Sequence, residues 1–545
     1  MITITKQSQG KVHGRGVMRY SDGSVHSGQW RDGKKHGRGS WSAPDGGKSE
    51  GTWVRGVMTG GGRLQEASGN VYTGDIVEGQ PHGHGTKKEG RFLGSGASVY
   101  IGSWVQGVRH GYGVMEMVME GEKYLGMWEN NMRHGPGKVI NIDGVYYQGT
   151  FYNNKLVGNG LMLFADGARY QGEFSGFGKF SGKGTLWSGN KKFVGTFSGN
   201  YIENMKFSGE ISTVHDDHET VSDVDELIPA DDKWKDIFNT WSNTVGDDPT
   251  KIWEKVAFTI GSRADNIADC LEVIPKAGQE MPLTLEDADK IETYLQEAFS
   301  VKYHPLHSLF ELLVEAYRVS YGGVKSNSDS TLLRCAVSEL HSLVTRVYNI
   351  LRQLFPALPA SPPLVLTQAD TTKFITPYTL LLPIFLPKLH STLYILYAVK
   401  ETKSDEVYWE RIEKWNRHPD KALLVFLDVD PKLFLAENSP VFSYRDRDKH
   451  FLSAINTLQL IKTTFTPESK LEVILGMFRD ITSSSSNIVW SMDTLLPVCM
   501  YVVVRAKVSQ LGAELAMLQD LMETHLFQVS ITYYIKINFF DRVEY

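Results

Sequence analysis

Near the C-terminal end of the 545-residue chain, Ser491-Met492-Asp493-Thr494-Leu495-Leu496-Pro497 places one carboxylate and one proline just ahead of an apolar run from Val498 to Val504. A run that is apolar almost all round reads as a helix central to a bundle. An aspartate at its rim is a common N-cap, and the residues by themselves assign Asp493 that role.

Three other clusters invite a chemical reading. Leu423 to Leu427 is an apolar run that leads into Asp428-Val429-Asp430, as a phosphotransferase nucleophile would at a strand end. Pro431 and Lys432 then stand where such a site needs a small hydroxyl residue, and no alternating βαβ pattern surrounds it. Gly178-Lys179-Phe180-Ser181-Gly182-Lys183-Gly184-Thr185 imitates a phosphate loop but lacks the GxxxxGK[ST] spacing. His36, His82, His110 and His134 recur at the repeat period, one unit or more apart, too far along an array to share a metal. Cys270, Cys335 and Cys499 have neither metal-ligand nor CxxC spacing and fit a reduced compartment. With no nucleophile–base pair and no ligand cluster, we expect no covalent chemistry, no metal and no cofactor.

The elements that position Asp493 begin far upstream. Gly28, Gly51, Gly74, Gly102, Gly126, Gly149, Gly172 and Gly195 are separated by 23, 23, 28, 24, 23, 23 and 23 residues. Most carry an aromatic on either side, as in Tyr100-Ile101-Gly102-Ser103-Trp104. A second phase reads His36-Gly37-Arg38-Gly39, with Thr59-Gly60 replacing the His-Gly pair in the second repeat. Alternation puts aromatic, glycine and aromatic on one face of a strand, and Asn153-Asn154 or Asp166-Gly167 supply turns of positive φ. No unit buries its own aromatic face, so the units must stack into one twisted sheet. Residues 10–210 resemble MORN repeats, about eight of them, and that likeness implies membrane or partner association.

Charge divides the chain. Residues 1–210 carry 25 Lys and Arg against 17 Asp and Glu, a net of +8, whereas the rest carries −14 within a total of −6. The basic half suits anionic lipid at about 1 kcal/mol per well-placed cation, or alternatively a solvated scaffold or self-association face. Acidic residues 211–232 read as a linker. Trp234, Ile237, Phe238 and Trp241 then open a helical array at 233–355, continued by Leu306, Leu309, Phe310 and Leu313 and by a stripe from Leu333 to Leu351. Residues 356–379 read as a proline-rich, irregular connection. The apolar stretch from Phe374 to Leu396 is broken by Pro377, Pro383 and Pro387 and carries Lys388 and His390, which argues against a spanning helix, and Met1 to Lys6 has no leader design. The fold class is multidomain α+β: an all-β repeat array, an all-α array, and a helical bundle over 380–545.

Within that bundle, Thr466 is expected to cap a helix whose first residue is Pro467 and whose buried stripe is Leu471, Ile474, Leu475, Phe478 and Ile481. Thr-Pro-x-x-Lys-Leu at 466–471 followed by Asp-x-Leu-Leu-Pro at 493–497 resembles the vacuolar-protein-sorting-nine (VPS-nine) domain. With the repeats and helical array, the whole chain resembles the alsin family. The resemblance implies guanine-nucleotide exchange on a Rab-five-type small GTPase at early endosomes, by a cytoplasmic, peripheral protein that does not bind nucleic acid. It assigns Asp493 and Pro497 to the exchange site and Leu495, Leu496 and Tyr534 to GTPase contact. Residues 528–545 lack the family's Gly-Glu-x-x-Tyr-x-Leu-Thr-Thr pattern, and Met1 directly precedes the repeats, so a short form with a divergent end is expected. The alternative is a non-catalytic adaptor or dampening form that binds full-length relatives or the GTPase without efficient exchange; a homo-oligomer or association with full-length relatives is expected.

Overall fold

The computed structural model describes residues 2–8, 11–90, 96–142, 144–201, 203–213, 228–245, 282–323, 330–368, 371–433, 451–483 and 490–522, with scattered positions between 254 and 279. Contacts divide the chain into two units, one of residues 1–278 and 293–327, the other of 279–292 and 328–545.

The first unit contains an antiparallel sheet of eighteen strands, from β1 (Ile2–Ser8) to β18 (Lys206–Thr213). Each strand pairs with the next in sequence, and the glycines align across the sheet. Gly16 faces Gly28, Gly28 faces Gly39, and Gly39 faces Gly51. The line continues through Gly102–Gly113 and Gly126–Gly137 to Gly195–Gly209.

The reason is the side chain that lies across each glycine pair, a ring in most repeats and Met58 over Gly51 and Gly62. A Cβ on Gly126 would sit 2.4 Å from the Tyr124 hydroxyl, and one on Gly113 2.4 Å from that of Tyr100. Both clashes are far inside van der Waals contact. The tyrosine hydroxyls are used as well: Tyr100 donates to the Ser103 carbonyl at 3.0 Å and Tyr124 to that of Met127 at 2.8 Å. Indole N–H groups bond back across the strands, Trp104 to the Gly85 carbonyl and Trp128 to that of Gly113. Edge-on pairs such as Tyr100–Trp128 and Tyr124–Phe151, with centroids 5.4 and 5.1 Å apart, join one repeat to the next, each worth about 0.5–1.5 kcal/mol beyond burial.

The turn glycine explains the degenerate repeat. Gly37, Gly60, Gly83, Gly111 and Gly135 all have positive φ, including Gly60, where Thr59 stands in place of histidine. The histidine is replaceable; the left-handed glycine is retained. Gly178 to Thr185, the phosphate-loop imitation, lies mainly in β16 (Lys179–Ser188), with Gly184 on the glycine line.

On the opposite face, helix α1 (Lys235–Val245) lies against β8 (Gln80–Glu89), and helix α3 (Pro305–Tyr321) against β9 (Ser98–Val105) and β10 (Val108–Met117). Trp234 packs edge-on to Tyr112 at 4.9 Å. The Lys123 ammonium bonds the Val319 and Gly322 carbonyls at 2.7 and 2.5 Å, neutralising the C-terminal end of α3. The apolar stripes read from the sequence, Trp234 to Trp241 and Leu306 to Leu313, supply buried residues here.

The second unit is helical: α4 (Ser330–Leu354), α5 (Pro377–Lys400), α6 (Thr402–Asn416), α7 (Asp420–Phe426), α8 (Leu452–Gln459), α9 (Pro467–Ser483), α10 (Met492–Ala506) and α11 (Leu511–Leu521). Helix α2 (Leu285–Ser300) begins in this unit's share of the chain. Two expectations need correction. The connection read as irregular holds a hairpin, Leu364–Gln368 with Thr371–Ile375, and the prolines do not break the helix that follows. Pro377 starts α5 behind a Thr376 cap, while Pro383 and Pro387, four residues apart, sit inside it. This helix is long and apolar enough to cross a membrane, yet Leu381, Phe385, Leu386, Leu389 and Leu393 are wholly buried within the unit. Asp428, in the Asp-x-Asp run, follows the short helix α7 with φ of 58° rather than ending a strand.

Candidate functional site

Helix α10 carries the motif, and its buried half fixes its place. Val498, Val502 and Val504 have no exposure, and they pack with Ile455, Ile474, Met477 and Leu515 from neighbouring helices. The reading of a central bundle helix is correct.

The cap was misassigned. Ser491, not Asp493, is the N-cap, and it forms a capping box with Thr494 at the third helical position. The Thr494 hydroxyl accepts from the Ser491 N–H at 2.9 Å and donates to the Ser491 carbonyl at 3.0 Å. Asp493 is therefore second in the helix. Its side chain is exposed, and among the described residues it has neither hydrogen bond nor ion pair. A carboxylate there is stabilised by the helix N-terminus, by about 0.3–1 kcal/mol, without being consumed by a cap.

Pro497 lies inside α10 rather than at its start. Having no N–H, it cannot bond the carbonyl four residues back, which is that of Asp493. Leu495 and Leu496 are half-buried beside it, and Leu495 touches the core from its rim. Tyr534 lies outside the described residues.

The supporting helices are pinned by charges. Thr466 caps α9 as expected, accepting from the Ser469 N–H at 3.1 Å. The buried stripe of α9 is Lys470, Val473, Ile474, Met477 and Ile481; Leu471, Leu475 and Phe478 are only partly covered. The stripe is thus rotated from the expected one. Lys470, 1% exposed, donates to Glu514 at 2.5 Å and to the Ile461 carbonyl at 3.0 Å. Glu514 lies 44 residues downstream, so the pairing has no local signal beyond the lysine of the Thr-Pro-x-x-Lys motif. The Asp405 carboxylate accepts from the Gly512 and Ala513 N–H groups at 2.8 and 3.3 Å, capping α11. Burial outweighs these bonds and raises its pKa above the usual carboxylate value. Arg505 closes the far end of α10, bonding Asn416 and the His418 carbonyl and pairing with Asp420. Among the described residues no three metal-ligating side chains converge.

Comparison with known proteins places these pieces. Residues 213–394 match the alsin helical array domain and residues 451–545 the vacuolar sorting protein 9 (VPS9) domain. Seven segments between 8–25 and 147–169 match the MORN repeat. Human alsin is 35% identical over 580 residues, covering 95% of this chain and 35% of alsin. The chain is similar to alsin over nearly all of its own length. It spans about a third of the alsin it matches. The human ALS2 C-terminal-like protein is 33% identical over 244 residues, covering 43% of this chain and 25% of that protein. The alsin homolog of Drosophila melanogaster is 27% identical over 305 residues, covering 55% of this chain and 20% of the homolog. Among solved structures, the TCP domain of SAS-4 from Drosophila melanogaster covers 36% of this chain and 88% of its own at 11% identity and a TM-score of 0.19, too distant to bear on function. The glycine line continues beyond the last matched MORN segment, through Gly172, Gly184 and Gly195 to Gly209, with Phe174 and Phe197 standing where earlier repeats have tryptophan. The VPS9 match contains α8 to α11, and with them Asp493.

Proposed function

We propose that this chain is a guanine-nucleotide exchange factor for a Rab-five-type small GTPase, with Asp493 as the residue that enters the nucleotide site. The observation that carries the reading is an exposed carboxylate, without a partner among the described residues, on a capped first turn inside an interval that matches the VPS9 domain. Such a carboxylate can form a charge-assisted pair with the GTPase's phosphate-binding lysine once nucleotide leaves. Because the coupling is reciprocal, a pair made only in the nucleotide-free complex lowers nucleotide affinity by the same factor. Leu495 and Leu496 would contact the switch region from the rim, Tyr534 would add a second contact, and Pro497 would shape the turn. The basic repeat sheet would hold the protein at an anionic endosomal membrane or to partners, including further copies or full-length relatives.

The test is binding preference. The whole chain, titrated against a labelled Rab-five-type GTPase, should bind the nucleotide-free form far more tightly than the GDP-loaded form, and Asp493→Ala should remove most of that difference. Equal affinity for both forms would leave an adaptor rather than an exchange factor.

A further inference from the structure

We infer that Thr494 is a positioning residue for Asp493: its hydroxyl fixes the turn on which the carboxylate is presented. The inference rests on the exchange reading above and names a residue that reading does not use. Nothing among the described residues holds the Asp493 side chain, so its direction is set by its backbone alone. That backbone is short of one constraint. The Asp493 carbonyl would normally accept from residue 497, and Pro497 has no N–H to give. The first turn is instead held across Asp493, from Ser491 to Thr494. One hydroxyl accepts from the Ser491 N–H at 2.9 Å and donates to the Ser491 carbonyl at 3.0 Å, within the capacity of a threonine oxygen. The Leu495 N–H bonds the same carbonyl at 2.9 Å. Met492 and Asp493 are thus enclosed in a loop closed by a side chain, where the regular helical ladder is interrupted.

The geometry makes Thr494→Val the informative substitution, since valine keeps the shape and removes both bonds. Thr494→Ser retains the hydroxyl. Four variants of the full chain, Thr494→Val, Thr494→Ser, Asp493→Ala and the double Asp493→Ala/Thr494→Val, are compared with the parent for release of fluorescent GDP from a Rab-five-type GTPase, with thermal unfolding of each recorded. The expected result is a fall of about fivefold for Thr494→Val, the size of one lost cap, a rate near that of the parent for Thr494→Ser, and no further loss when Thr494→Val is added to Asp493→Ala. A cap that serves stability alone would lower the unfolding temperature of Thr494→Val and leave exchange unchanged, overturning the inference while the loss in Asp493→Ala upholds the exchange reading. An equal further loss in the double variant would also overturn it, because Thr494 would then act independently of Asp493. If Asp493→Ala releases GDP as fast as the parent, the exchange role of Asp493 itself fails, and with it the premise.

Discussion

Asp493 and Lys470 put charge to opposite uses on two helices of one unit. Asp493 is exposed, and among the described residues nothing pairs with it, whereas Lys470 is buried against Glu514. Removing one member of a buried pair strands the other, at a cost of about 3–5 kcal/mol. Glu514→Gln should therefore lower the denaturant midpoint of this unit sharply, and Lys470→Met combined with Glu514→Leu should recover much of the loss. The motif lysine was legible in the sequence, but its task was not, because that depends on a glutamate brought in by the fold. The same applies to the cap: aspartate and serine rank about equally as caps, and the hydroxyl of Thr494 bonds the Ser491 backbone, which makes Ser491 the cap. A second residue-scale prediction concerns His304, a wholly buried N-cap of α3 that accepts from the Leu306 N–H with Nδ1. Burial, with His307 beside it, pushes its imidazole down to about 3. The unfolded chain binds this proton near pH 6.5, so the unfolded state holds more protons between the two values. Stability is then full above pH 6.5 and falls as pH drops towards 3. His304→Asn, which keeps a cap acceptor, should flatten that slope in thermal unfolding measured from pH 7 to pH 4.5.

At the scale of elements, the glycine period is a record of ring positions. Gly126→Ala would place a methyl group 2.4 Å from the Tyr124 hydroxyl and 2.6 Å from the Gly137 Cα, and such overpacking costs about 1–3 kcal/mol. Gly61, on the other side of its strand with nothing within 4 Å of its Cβ position, should accept alanine with little change. Comparing the unfolding temperatures of the two variants checks whether the aromatic face is the reason for the period. The hairpins could be read from spacing because each repeat states the same constraint again. Helix α5 could not: its two internal prolines give up ladder bonds that burial of Leu381, Phe385 and Leu389 offsets, a tertiary gain with no local signature. Pro497 tests the same exchange of terms in α10. Pro497→Ala restores an N–H for the Asp493 carbonyl and should raise unfolding stability, by up to about 3 kcal/mol, in guanidinium titrations.

At the scale of the whole molecule, the order of sheet, helical array and C-terminal bundle was legible from repeat period, charge and the two short motifs, and the family matches follow the same order. The packing of α1 and α3 on the face of the sheet opposite the aromatic rings was not, because their stripes state only that something apolar covers them. The central claim, that the bundle presents Asp493 to a GTPase, is tested most directly by release of fluorescent GDP from a Rab-five-type GTPase with the full chain as catalyst. Acceleration by the parent, reduced about 10- to 100-fold by Asp493→Ala, as the loss of one charge-assisted bond requires, is the predicted result. Equal release with parent and variant would contradict it.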